Sequence, residues 1–344
     1  SRTGHKNYDN SKHWSKDREL LIEWHRANLE FGCATELENV SNTYWDQDDA
    51  SPTGFTGPHV VIDGGYGQLC EGLAKDLNIR LNSPVKVVKY NGNNDNSNSS
   101  NTCIVLKNAK QIDCDLVVCT VPLGCLQNGD IDFQPKFPLS KSNAVKNMGA
   151  GNLNKVVLEF SKCFWDPNDD IFGRVGESGK SRGHAYMFAS FISDKSAVLT
   201  AFMAGNAAQT MEQKSNEEVV ESVLKVLKIM YGSDNVTEPI ASHVSMWGSD
   251  QYARGAYSYV AVGCNGDAYD ALSESINNRL YFAGEHCTRS NPTTCAGAMM
   301  SGLSCAEEIA RHHGRWRYNV IADIFENEVK KNSKQCLGLR VEKT

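Results

Sequence analysis

The clearest alternation of apolar and polar positions lies near the start of the chain. From Trp14 onward, Leu20, Leu21, Trp24, Ala27 and Phe31 recur at helical spacing, and Lys16, Asp17, Arg18, Glu19 and Glu23 fill the other positions. This predicts an amphipathic helix. His59–Ile62 reads as a strand, Gly64–Gly67 as a turn and Gln68–Leu77 as a helix. Short β-branched runs at Val85–Tyr90, Ile104–Leu106 and Leu116–Thr120 predict strands, the last a continuous apolar run that stops at Pro122, as a buried strand does. Residues 91–102 are almost entirely Asn, Ser, Gly and Asp. With nothing to bury, they predict a loop or hairpin insertion.

A second region begins near Leu139. Lys155–Phe160 alternates weakly, Ala185–Ile192 and Ala197–Ala204 read as strands, and Glu217–Met230 reads as a helix. Further strands are predicted at Ser242–Trp247, Tyr257–Val262 and Leu280–Ala283. A turn through Glu285–Pro292 leads to a small-residue-rich helix from about Thr294 to His312, and Val320–Lys331 is a further candidate helix. No internal repeat is visible. At 344 residues the chain has the length of about two domains or one large one.

Composition narrows the classes. With 40% hydrophobic and 22% charged residues, the chain has ample core material and is not a disordered sequence. Its longest nearly apolar stretch, Leu116 to Leu126, falls short of the ~20 residues a membrane helix needs, so no membrane partner is expected. Thirty-five Lys plus Arg against 41 Asp plus Glu give a net charge of −6, which weakly favours a cationic partner over a polyanion. Twelve cysteines occur without a CxxC pair. In a chain of this size they read as reduced and intracellular, and the Asn-x-Ser/Thr triplets at Asn39, Asn98 and Asn235 then read as chance. The chain opens on Ser1 without a signal-peptide pattern and reads as a piece of something longer.

Several motifs fail on spacing. Gly173 to Ser181 resembles a phosphate loop, but five residues separate Gly173 from Gly179 where the loop needs four; it reads as a surface hairpin. Gly149-Ala-Gly151 continues to Asn154, and Gly64-Gly65-Tyr66-Gly67 lacks the GxGxxG order, so no dinucleotide fingerprint is present. There is no HExxH, no His/Cys cluster at ligand spacing and no GxSxG. Two features remain. Phe282-Ala-Gly-Glu285-His286 places a carboxylate just after a strand and shortly before a helix start, a place suited to a hydroxylated or anionic ligand. Lys155 opens a strand with apolar neighbours. That position suggests either a desolvated, reactive amine or an exposed strand-end lysine, the commoner case.

Taken together, Trp24–Phe31, Trp45-Asp-Gln-Asp-Asp49, Phe55–His59, Cys119–Gly124, Gly149-Ala-Gly-Asn-Leu-Asn-Lys155, Ala253–Val260, Ala283–His286 and Ser301–Leu303 resemble the flavin-dependent amine oxidases, and within them the lysine-specific histone demethylases. The resemblance implies an α/β (α+β) amine-oxidase fold over residues 15–312, its FAD-binding and substrate parts interleaved, with crossings near 45–80, 115–140 and 265–280. Residues 1–14 would be disordered or the end of a helical hairpin, and 313–344 a divergent tail. The N-terminal dinucleotide-binding part of the family is missing from this sequence. The implied activity is FAD-dependent demethylation of mono- or dimethyl-lysine on the histone H3 tail, giving formaldehyde and H2O2, in the nucleus. A corepressor scaffold and the nucleosome would be partners through regions mostly outside the chain. A polyamine oxidase and an inactive histone-tail- or partner-binding fragment are the alternatives.

The same resemblance assigns residues. Lys155 and Tyr257 are the expected catalytic pair. Glu285, Thr294, Cys295, Val85 and Trp247 are the expected FAD contacts. Asn28, Asp48, Asp49 and His59 are the expected lining of an acidic cleft for the histone tail. No metal is implied.

Overall fold

A computed structural model describes residues 15–47, 61–62, 64–90, 102–176, 182–193 and 197–313. Asp48, Asp49, His59, most of the Asn-rich stretch and the tail beyond His313 lie outside the described residues.

The first helix, α1 (Lys16–Cys33), starts where the Ser15 hydroxyl accepts the Arg18 amide, carries Asp17 and Glu19 in its first turn, and ends at Ala34 in the left-handed conformation. Next come α2 (Gly67–Ala74), then β1 (Val85–Tyr90), β2 (Thr102–Leu106), β3 (Gln111–Cys114), β4 (Val117–Cys119), α3 (Leu123–Asn128), β5 (Asp132–Gln134) and α4 (Leu139–Asn147). β6 (Gly149–Gly151) and β7 (Asn154–Phe160) lead into β8 (Ile171–Gly173), β9 (His184–Ile192), β10 (Ala197–Met203), α5 (Gly205–Met211), α6 (Asn216–Tyr231) and β11 (Ala241–Val244). The chain closes with β12 (Tyr257–Tyr259), α7 (Asp267–Ser273), β13 (Leu280–Phe282) and α8 (Cys295–His312).

Two main cores result. One surrounds the sheet β3-β2-β1-β5 and the parallel pair β13-β4, with Val88, Tyr90, Phe133, Tyr269, Leu280 and Phe282 buried. There the Lys141 ammonium is almost fully buried, donates to the Ala271 and Leu272 carbonyls at 2.8 and 2.7 Å, and lies 3.8 Å from the centre of the Phe282 ring. It ties α4 to the C-terminal end of α7. The second core fills the five-stranded sheet β11-β7-β10-β9-β8, covered by α6. α6 begins with a Ser215–Glu218 capping box and buries Val219, Val223, Leu224, Val226 and Leu227, one stripe at helical spacing. The chain passes from the first core to the second through 149–154 and returns through 245–257. Residues of both 115–140 and 265–280 pack in the first core.

A short antiparallel ribbon of β6 and β12 spans the junction, pairing Tyr257 with Gly151 and Tyr259 with Gly149. It needs glycine: a Cβ on Gly149 would lie 2.1 Å from the Tyr259 ring, and one on Gly151 would lie 2.4 Å from the Ala34 carbonyl oxygen. The Glu30 carboxylate, 1% exposed, joins α1 to the entry of β9 through Arg182 at 2.6 Å.

Some expected elements shift. Val61 and Ile62 are exposed and outside any strand. The strand expected over 242–247 stops at Val244; beyond it Ser245 still bonds the Lys155 backbone, while Trp247 and Gly248 are held by the side chains of Asn154 and Glu212. α2 buries none of its residues, leaving Leu69 and Leu73 exposed. Val118 on β4 and Met299 and Met300 on α8 are exposed too. Among the described residues no helix is long and apolar enough to cross a membrane.

Candidate active site

β12 brings two sets of groups together because neighbouring residues of a strand face opposite sides. Tyr257 joins a cluster of Ala27, Phe31, Tyr186, Phe202 and Leu153, and donates its hydroxyl to the Phe31 carbonyl. Burial, with the nearby Cys33, Tyr186 and Glu285, pushes the Tyr257 hydroxyl far above the ordinary tyrosine range, so it stays protonated. Phe31 and Phe202 meet edge to face at 5.4 Å. The Lys155 ammonium lies 5.5 Å from the Phe202 ring centre, and Asn28 Oδ1 accepts from Tyr186 at 3.5 Å. Three expected site residues therefore converge on one aromatic cluster, from α1, β7 and β12.

Lys155 is exposed, the second of the two cases its place in the sequence allowed. β7 buries Asn154, Val156, Leu158 and Phe160, and the period of two places Lys155 on the opposite side.

On the other side of β12, Ser258 meets Glu285. One Glu285 oxygen accepts from the Ser258 hydroxyl at 2.7 Å and the Thr293 amide at 2.9 Å; the other accepts from the Ser258 amide at 3.1 Å. Burial raises the Glu285 carboxyl above its ordinary range, outweighing these hydrogen bonds, which act to lower it. The adjacent His286 is buried and kept neutral, pushed down to about 4 by desolvation and then by the Lys141 charge. Thr294 caps α8, its hydroxyl accepting from the Gly297 amide at 2.9 Å, and Cys295 is exposed on the first turn. A cavity of about 170 Å³ opens beside Ser258 and Thr293 and is also lined by Cys33, Trp45, Asp46 and Gln47. It joins the Trp-Asp-Gln stretch to Ser258 and Thr293, the two residues that bond Glu285. Val85 lines a separate, mostly apolar cavity of about 190 Å³ with Val121, Pro122 and Tyr252. Trp247 is 46% exposed, on the loop after β11.

Sequence reasoning missed Ser258, Thr293, Phe202 and Tyr186. The first two had a weak signal, standing beside Tyr257 and Thr294; the two aromatics read only as strand residues. Among the described residues no group of side chains could hold a metal, and Cys103, Cys119, Cys125, Cys287 and Cys305 are buried and unbridged.

The family model for flavin containing amine oxidoreductase matches residues 6–310. The chain belongs to this family. It is 42% identical over 299 residues to lysine-specific histone demethylase 1 homolog 3 of Arabidopsis thaliana, covering 84% of this chain and 18% of that protein. To homolog 1 of the same plant it is 38% identical over 328 residues, covering 92% of this chain and 38% of the relative. The chain thus spans well under half of these relatives. Cyclohexylamine oxidase from Brevibacterium oxydans shares the fold, with a TM-score of 0.69 at 17% identity over 88% of this chain and 66% of its own.

The family's cofactor is FAD. The donor set here fits its sugar and ring end: a buried carboxyl with raised proton affinity can share hydrogen bonds with hydroxyls, and the α8 N-terminus favours a reduced, anionic ring. The chain has no GxGxxG loop for the diphosphate.

Proposed function

We propose that this chain is the C-terminal catalytic part of an FAD-dependent histone lysine demethylase. Its substrate would be mono- or dimethyl-lysine on the H3 tail, its products formaldehyde and H2O2, and its site of action the nucleus. The observation carrying this reading is β12: Tyr257 lies in the aromatic cluster shared with Lys155 and Asn28, while the next residue, Ser258, binds Glu285. When bound, FAD would supply the two-electron oxidation of the N-methyl group, with O2 as the final electron acceptor.

The chain's own residues do the rest. The aromatic cluster binds and orients the methylated amine, whose cation aromatic faces stabilise. Lys155, exposed over Phe202, donates hydrogen bonds to the water next to the reacting centre. Glu285, Thr294 and Cys295 hold the flavin's sugar and ring; Val85 takes the adenine end and Trp247 flanks the cofactor. By the family resemblance, Asp48, Asp49 and His59 would contact the histone tail together with Asn28. Corepressor scaffold and nucleosome contacts lie mostly outside the chain.

Asp48→Asn with Asp49→Asn is expected to weaken binding of an H3-tail peptide, with a loss that shrinks as salt rises. Fluorescence anisotropy at two salt concentrations checks it, and unchanged affinity removes both residues from the cleft. Dimethyl-lysine peptide should be oxidised in preference to spermine by the flavin-loaded protein. The reverse preference would indicate a polyamine oxidase.

A further inference from the structure

The loop carrying Trp247 lies beside Lys155, which the sheet pairs with Phe202, and is anchored by one carboxylate, Glu212, at the C-terminal end of α5. Asn152 and Asn154 each donate their amide to one Glu212 oxygen at 2.7 Å, and the Gly248 amide donates to the same oxygen at 2.9 Å. The Ser249 hydroxyl donates to the other at 2.5 Å. Asn154, fully buried, uses its own oxygen to accept from the Trp247 amide and the Ser245 hydroxyl, both at 3.1 Å. Ser245 in turn accepts the Lys155 amide at 2.7 Å and donates its own amide to the Lys155 carbonyl at 3.0 Å. Gly248 and Ser249 are tied to Glu212 directly, and Trp247 and Ser245 are tied to it through Asn154, while Ser245 also bonds the Lys155 backbone.

Two observations set this cluster apart from ordinary packing. Burial alone would raise the Glu212 carboxyl, yet the donations from Ser249, Asn152, Asn154 and Gly248 hold it below its usual range. It is therefore an anion at neutral pH, and charge-assisted hydrogen bonds are the stronger kind. The Asn152 oxygen, moreover, is buried with no hydrogen-bond partner. Such an orphan costs stability, and turning the amide over would set that oxygen against the carboxylate. The fold keeps an unpaired acceptor so that Asn152 can donate to Glu212. Uncompensated groups of this kind concentrate at functional sites.

We propose that Glu212 is a positioning residue that sets the place of Trp247 and its loop against Lys155 on β7. This rests on the reading of both as residues of the oxidase site. At its ends the loop from Ser245 to Ser249 is also tied by the Ser245–Lys155 backbone pairing and by the Gly255 amide, which donates to the Trp247 carbonyl at 2.9 Å, but Gly248 and Ser249 are anchored by Glu212.

The test uses the chain labelled with fluorotryptophan, with Trp247→Phe to assign the resonance and Trp165, in the core of the five-stranded sheet, as internal control. Glu212→Ala is expected to shift or broaden the Trp247 resonance and leave Trp165 in place. Glu212→Gln, which keeps the oxygen that serves Asn152, Asn154 and Gly248, is expected to restore most of the Trp247 signal. In the flavin-loaded protein, Glu212→Ala should lower kcat about tenfold or more with KM little changed, as misplacement of a catalytic group does. A Trp247 resonance identical to the parent's in the alanine variant overturns the proposal. So does movement of Trp247 and Trp165 together with a fall in Tm, which would mean a general structural role. If Trp247 moves as expected but Lys155→Ala turns over normally, the positioning stands and the oxidase reading of Lys155 fails.

Discussion

Lys155→Ala is expected to lower kcat for a dimethyl-lysine H3 peptide by about a hundredfold or more, within the range that positioned proton-handling groups contribute. KM and bound flavin should stay close to the parent's. The side chain is exposed and ends over the Phe202 ring, so its removal leaves no buried hole, and stability should change by no more than about 0.5 kcal/mol. A loss confined to kcat would identify an interaction made at the reaction step. Formaldehyde release and anaerobic flavin bleaching measure the same quantity independently. Turnover like the parent's in both would remove Lys155 from the mechanism.

The second large effect is on stability below neutral pH. His286 sits beside Glu285 and is pushed down to about 4 from an ordinary value of 6.5 by burial and by Lys141. The unfolded chain takes up this proton near pH 6.5 and the folded chain only near 4. Stability therefore falls as pH drops through that window, by up to about 3 kcal/mol at 1.36 kcal/mol per unit. Glu285 and Glu30 act in the opposite sense, since burial raises both carboxyls, and stability from them falls as pH rises above 4.5. Comparing urea unfolding of the parent with His286→Asn between pH 7 and 4 isolates the histidine. The variant should lose the part of the slope that His286 supplies; equal slopes would show that the imidazole does not stay neutral in the fold.

Much of the fold could be read from long periodic segments. α1, α6 and α8 carry apolar stripes at helical spacing, and the interior strands Asn154–Phe160, His184–Ile192 and Ala197–Met203 carry β-branched or apolar runs. The short elements escaped notice. α3, α5 and α7 have six or seven residues, and α4, with Lys141 buried in its first turn, reads as polar. β6 is Gly-Ala-Gly, whose pairing with β12 comes from backbone alone, so no side-chain pattern announces it. The polar seat of Lys155 was hidden for another reason. It joins residues 152–155, 212 and 245–249, and no local period links such distant positions. The Asn-Leu-Asn-Lys run was noticed for its resemblance to the demethylases, while the structure supplies its physical reason: Asn152 and Asn154, two apart, both reach Glu212.

The position of Glu285 after a strand and before a helix was legible from the sequence, and its partners Ser258 and Thr293 explain how the carboxylate is tethered. Val85 and Trp247 were assigned through the family resemblance alone. Physical reading of their surroundings adds a mostly apolar cavity for the first and a loop anchored by Asn154 for the second.

The central claim is that these residues form the flavin and substrate side of a methyl-lysine oxidase. The measurement that bears on it most directly is the visible absorption spectrum of the flavin-loaded protein under nitrogen, before and after adding an H3 peptide carrying dimethyl-lysine. Bleaching of the oxidised-flavin bands by that peptide, with recovery on admitting O2 and with bleaching about a hundredfold slower in Lys155→Ala, is the predicted result. A flavin spectrum that the peptide leaves unchanged would contradict the account.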